Sequence, residues 1–233
     1  MKPILALPLL CISFPAFAGS FSAPDGCTTY LTVQSHGCYV ANYYRCEADN
    51  QGDQWRADYD QEGPFYLSKI DYETQWIESY DMNPAVKQTL DPSPADPASF
   101  SDLLTKGYDS FVFSLTKDNG EHTNVRGFDK LTGTSVVIDG VTLPQTEFEY
   151  TETDDAGAVL RQARGKEFIH PDWRNFYSGS SEWFDGTNWL PLEGSPVQFI
   201  QPGEKGFAAT QPIFDCDVVT SQLSGPQLTL IRQ

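Results

Sequence analysis

Residues 145–169 read QTEFEYTETDDAGAVLRQARGKEFI, and the fold is decided here. Phe148 and Tyr150 alternate with polar neighbours through Gln145–Thr153, and a second extended run occupies Ala158–Ile169. Between them, Asp154-Asp155-Ala156-Gly157 has the composition of a tight turn. A repeat of two is the strand period, whereas a helix would repeat every 3.6 residues. A four-residue turn taken literally sets Glu147 opposite Arg164 and Phe148 opposite Ala163, with Glu149 diagonal to Arg164. The charges then form one solvated sheet face of cross-strand pairs. They demand no active site.

The same period extends outward in both directions. Upstream, Ser110–Lys117 alternates Phe111, Phe113 and Leu115 with Ser110, Val112 and Ser114, and Asp118-Asn119-Gly120 turns it into His122–Phe128. Thr134–Ile138 runs into Asp139-Gly140, a two-residue hairpin signal. Nearer the start, Thr29–Val33 and Tyr39–Tyr44 flank a turn containing Gly37, and Trp55–Tyr59 is a short strand. Tyr66, Ile70, Tyr72, Trp76 and Tyr80 share one parity of a long extended run. Asp81–Ala95, with Pro84, Pro92 and Pro94, reads as a surface crossing. A single helix is expected after it: Asp96 as N-cap, Pro97 in the first position, Phe100, Leu103 and Leu104 as its apolar stripe, Gly107 as its stop. Roughly nine or ten strands and one short helix predict a mainly β protein. Its expected form is a curved antiparallel sheet making a barrel or half-barrel, with a sandwich as the second choice. One β-rich domain is expected over 19–217, followed at 218–233 by a tail or an edge strand.

The first eighteen residues read as a signal peptide. Lys2 supplies the positive start, Ile4–Phe17 the apolar stretch, and Ala16-Phe17-Ala18 the small-residue cleavage site. Of five cysteines, Cys11 lies in this leader. Cys27, Cys38, Cys46 and Cys216 remain, an even set that in an exported chain reads as two disulfides. Cys27 and Cys46 bracket the first hairpin, so Cys27–Cys46 with Cys38–Cys216 is the favoured pairing. The spacing holds no C-x-x-C and predicts no metal site. A formal charge of −17 would repel phosphate and excludes nucleic acid as a partner. No run of about 20 apolar residues reads as a membrane-crossing helix. The expected location is the periplasm of a Gram-negative bacterium or the extracellular space.

Leu131-Thr132-Gly133 through Ile138-Asp139-Gly140-Val141-Thr142-Leu143 to Glu147-Phe148-Glu149-Tyr150 resembles the strand–turn–strand rhythm of LolA-like periplasmic half-barrel proteins. The resemblance implies a curved sheet, covered by short helices, that holds acyl chains in an apolar concavity. It transfers no functional residue.

The candidate sites follow from residue type. Tyr66, Tyr72, Trp76, Phe111, Phe113, Phe128, Phe148 and Tyr150 are positioned to line one concave face and hold a hydrophobic ligand such as a lipid or acyl chain. Trp173, Phe176, Trp183, Phe184 and Trp189 crowd a Gly- and Ser-containing segment without strand alternation. Within it, Trp173, Trp183 and Trp189 are candidates for contact with another envelope protein. His170-Pro171-Asp172 offers a His–Asp pair that could orient a general base. No G-x-S-x-G elbow accompanies it, so no nucleophile is nominated and a hydrolase is the third reading. Asp49, Asn50 and Asp53 match no complete calcium loop. Scattered single glycines make no phosphate loop, and no cofactor is implied.

Overall fold

Two-residue alternation is realised as thirteen strands of one antiparallel sheet, seen in a computed structural model that describes residues 19–216. The expected signal peptide at 1–18 and the tail at 218–233 lie outside the described residues. The strands are β1 (Cys27–Ser35), β2 (Tyr39–Cys46), β3 (Gln54–Tyr59), β4 (Pro64–Ile70), β5 (Trp76–Met82), β6 (Ala85–Leu90) and β7 (Tyr108–Lys117). They continue as β8 (His122–Ile138), β9 (Val141–Asp154), β10 (Val159–His170), β11 (Asn175–Phe184), β12 (Trp189–Glu193) and β13 (Pro196–Ile200). Each strand from β1 to β12 pairs with the next, and β13 returns to pair with β1. The mainly β, curved, half-barrel reading therefore holds.

No ladder joins the edge strands β12 and β13 among the described residues. The chain nevertheless passes between them through Gly194 and Ser195 alone, so the two edges of the sheet come together. Packing fills that seam. Leu31, Val33, Ala41 and Tyr43 from β1 and β2 meet Leu143, Phe168 and Tyr177 from β9–β11, with Phe199 of β13 between them. Burying a side chain such as Leu31 or Val33 contributes about 1.5–3 kcal/mol. At another part of the interior, Phe111, Phe113, Leu115, Val125, Phe148 and Tyr150 form a second cluster.

The helix α1 (Phe100–Lys106) covers one end. Phe100 and Leu103 pack on Ile169, with Leu104, Leu131 and Phe176 around them. Gly107 ends it in the left-handed conformation, as expected, at φ 77°. Its N-cap is Ser99, whose side chain accepts from the Asp102 backbone N–H, and not Asp96. Asp96 instead forms an isolated bridge with Val112 and accepts a 2.7 Å hydrogen bond from Ser110 Oγ. The turn is displaced because the sheet edge claims Asp96 before the helix begins.

Other local expectations shift for similar reasons. The supposed surface crossing contains β6, which turns at Asn83 and Pro84 to pair with β5. The supposed loop carrying Trp183 and Trp189 is the β11–β12 hairpin, closed by Asp185. The turn closes with Thr153 opposite Val159, and a bulge between Val159 and Arg161 slips the β9–β10 register by one more residue, so Arg164 faces Glu149 and Glu147 faces Lys166. Both disulfides form as expected, Cys27–Cys46 and Cys38–Cys216. The second spans 178 residues of sequence and ties the end of the described chain to the first hairpin.

Candidate functional site

The concave side of the half-barrel encloses a cavity of about 330 Å³. Register explains which residues line it. Phe111 pairs through Gly127 to Tyr150 and on to Ala163, putting their side chains in one row across β7–β10. The neighbouring rows carry Phe113–Val125–Glu152–Arg161 and Asp109–Asp129–Phe148–Gly165. The opposite wall comes from β2–β5, with Tyr43, Arg56, Tyr66, Ser68, Ser79 and Asp81. Gly127 is necessary to this wall: a Cβ there would stand 2.6 Å from Phe111 Cζ.

One part of the lining is aromatic. Trp76 meets Phe113 edge-on at 5.2 Å between centroids and Tyr150 at 6.1 Å, while Phe148 stacks with Tyr150 at 6.4 Å. The remainder is charged, unlike the all-apolar trough that a lipid site would present. Arg56 Nη2 sits 3.0 Å from Asp58 Oδ2. Burial works against the Arg56 charge, but Asp58 together with Tyr43, Tyr66 and Tyr39 more than offsets it and raises the pKa. Arg161 Nε lies 3.7 Å from Glu152, which is buried. Lys69 Nζ is held between Asp49 at 2.7 Å and Asp53 at 3.0 Å, so an ammonium occupies the place where a calcium ion was weighed. Among the described residues, no cluster of His, Cys, Asp and Glu is arranged to hold a metal ion.

Asp129 and Glu167 stand apart. Among the described residues neither makes a hydrogen bond or an ion pair, and both line the cavity. Burial raises both carboxyls above the ordinary range, helped at Asp129 by the nearby Asp109 and at Glu167 by the nearby Asp129. Asp109 itself accepts from the Ser99 N–H at 2.8 Å, and burial pushes it up to about 6.

The expected ligand residues divide. Tyr66, Trp76, Phe111, Phe113, Phe148 and Tyr150 all border the cavity. Tyr72 does not: it lies in the turn between β4 and β5, 51% exposed, with the Arg174 guanidinium 3.8 Å from its ring centre. Phe128 is on the other face, stacked on the exposed Tyr108. Tyr80 also leaves the expected parity, because a bulge in the β4–β5 ladder, where Ile70 pairs with Trp76 but Lys69 with Glu78, reverses it, and it stacks with Trp55 instead. Of the proposed partner-contact residues, Trp173 packs inward on Tyr177 and Phe199. Trp183 borders a small side chamber of about 50 Å³ that shares Phe148, Tyr150 and Glu167 with the main cavity. Trp189 packs on Phe184, with the Arg164 guanidinium 4.0 Å from its ring centre.

His170 serves its own turn. Its Nδ1 accepts from the Trp173 N–H at 3.2 Å, and its ring stacks on Trp173 at 3.9 Å. Burial lowers its pKa. No hydrogen bond joins it to the exposed Asp172 among the described residues, so the geometry does not assemble a His–Asp general base. The charged residues lining the cavity that the sequence reading missed are Arg56, Asp129, Glu152, Arg161 and Glu167. The alternation that placed Phe148 and Tyr150 inward places Glu152 inward too; only the presumption that charges face solvent concealed it.

No family model, no curated protein and no solved structure matches the chain. Two disulfides are the mark of an oxidising, exported setting. No helix among the described residues is long and apolar enough to cross a membrane.

Proposed function

We propose that the protein is a periplasmic binding protein, not an enzyme, whose half-barrel takes up a small amphipathic molecule. The observation that carries this reading is the cavity of about 330 Å³ whose lining combines the rings of Trp76, Phe113, Phe148 and Tyr150 with charged groups set among them. Small-molecule sites span about 300–1,000 Å³ and combine apolar walls with a few polar anchors. This one is at the small end, which suits a short apolar body better than a long acyl chain. The likeness to LolA-like half-barrels supports the same use of the concave face, with a more polar cargo.

The test uses N-phenyl-1-naphthylamine, a neutral apolar fluorophore that brightens on leaving water. It should bind the native protein saturably with one site. Ser79 lines the cavity and is no part of the buried clusters. Ser79→Trp should fill the cavity and abolish the signal while the thermal transition stays in place. Absence of saturable binding to the native protein, or equal binding to Ser79→Trp, would overturn the proposal.

A further inference from the structure

Resting on the cavity as the binding site, we infer that its ligand is an organic cation: an apolar or aromatic body bearing one ammonium group, which Asp129 and Glu167 receive. Three observations converge on this chemistry. Glu167 is only 6% exposed, borders the cavity and has no hydrogen-bond or ion-pair partner among the described residues. A buried carboxylate without a partner is costly to the fold, and a ligand donor is the natural way to satisfy it. Asp129 is placed beside it: Asp129 pairs in register with Phe148, and Glu167 with Thr146, so the two carboxyls flank the same short stretch of β9.

The cations bordering the cavity are already engaged. Arg56 is paired with Asp58, Arg161 with Glu152, and Lys69 with Asp49 and Asp53. An anionic ligand such as a fatty acid would have to displace one of these carboxylates. A cationic ligand displaces nothing. The third observation is the aromatic wall. Trp76, Phe113, Phe148 and Tyr150 present ring faces and edges within the same space, and an ammonium is attracted to ring faces while its apolar body packs on them.

Binding is coupled to protons. The groups facing the two carboxyls are Asp109 from β7, beside Asp129, and Arg56 from β3, which faces Glu167 with its own partner Asp58. Burial keeps Asp129 and Glu167 protonated above the ordinary carboxylate range. An arriving ammonium favours their ionised forms, so protons leave as the ligand enters and affinity rises with pH between 5 and 8.

The experiment compares n-octylamine, n-octanol and n-octanoate as displacers of N-phenyl-1-naphthylamine from the full chain. Octylammonium should displace about tenfold or more tightly than octanol, the expected size of a desolvated charge pair with ring contact. Octanoate should be weakest. Glu167→Gln should remove most of the advantage of the amine and leave octanol unchanged, and it should fold, since it replaces a buried acid that burial keeps protonated by a neutral side chain of the same shape. Octanol or octanoate binding as tightly as octylamine would overturn the inference while leaving the cavity as a binding site. Amine binding that survives Ser79→Trp would show adsorption to the acidic exterior and would likewise overturn it. If the fluorophore and all three displacers fail to bind, the proposed function falls as well.

Discussion

Lys69 shows at the scale of one residue how this chain tolerates so many acids. Its ammonium is shared by Asp49 and Asp53, and Trp55 Nε1 donates to the other oxygen of Asp49 at 2.8 Å. Burial acts to raise the Asp49 pKa, yet the hydrogen bonds from Lys69 and Trp55 prevail and hold it below the ordinary value. That depressed pKa contributes stability above the unfolded value, which is lost as pH falls through the folded one. Lys69→Met leaves two adjacent, largely buried carboxylates without their cation. It should cost about 3 kcal/mol or more at pH 7, with the deficit shrinking as pH falls toward 4. Urea denaturation at both pH values measures this; a deficit that is small at pH 7 or constant with pH would show the ammonium to be dispensable. None of this pairing was legible in the sequence, because Lys69 and the two acids meet only across the β3–β4 turn and the loop before it.

At the scale of the element, α1 illustrates a local signal that was right in kind and wrong in position. Its apolar stripe and its Gly107 stop are fixed by nearest neighbours, so both were legible. Its start was not, since Asp96 and Ser99 are equally good caps by composition, and the pairing of Asp96 with β7 chose between them. The turn residue Glu73 reinforces the choice by accepting from Ser101 N–H at 2.8 Å and from Ser101 Oγ at 2.7 Å. Ser99→Ala should cost about 1 kcal/mol and speed amide exchange at Asp102, whose N–H loses its acceptor. Unchanged exchange at Asp102 would return the capping role to another residue. The β9–β10 pair teaches the same lesson in a strand. The alternation was legible, but the turn and one bulge at Leu160 together moved every cross-strand partner.

Over the whole molecule, buried acids set the pH response. Asp109, Asp129 and Glu167 all have raised pKa values, chiefly from burial. A raised acid binds its proton more tightly in the folded state, so its contribution is complete below about pH 4 and is lost as pH climbs through the folded value. His122 works in the same direction. Its bond to Asp155 outweighs its burial and, with the 2.8 Å bond to Asp91, raises its pKa, so its contribution disappears as pH rises past that value. Carboxylates with lowered pKa values, such as Asp49 and Asp215, oppose this only at the acid extreme, and the single lowered imidazole, His170, opposes it below neutral pH against three raised acids and His122. The melting temperature should therefore be higher at pH 5 than at pH 8. Asp129→Asn should raise it at pH 8 more than at pH 5. Scanning calorimetry would disprove this with a transition higher at pH 8, or with equal effects of the substitution at both pH values.

Strand period, turn composition and cysteine placement act over a few residues, and so the sequence alone determined a curved, mainly β sheet with one helix and its two disulfides. It also determined that Phe111, Phe113, Phe148 and Tyr150 share a face, because side chains two apart along a strand must do so. Tertiary structure alone decided that the sheet bends until β12 and β13 meet at Gly194 and Ser195, and that this encloses Arg56, Asp129 and Glu167 with those rings. Curvature sums small twists and bulges over thirteen strands. No local pattern records that sum, and with it goes the knowledge of which charges are shut away from water.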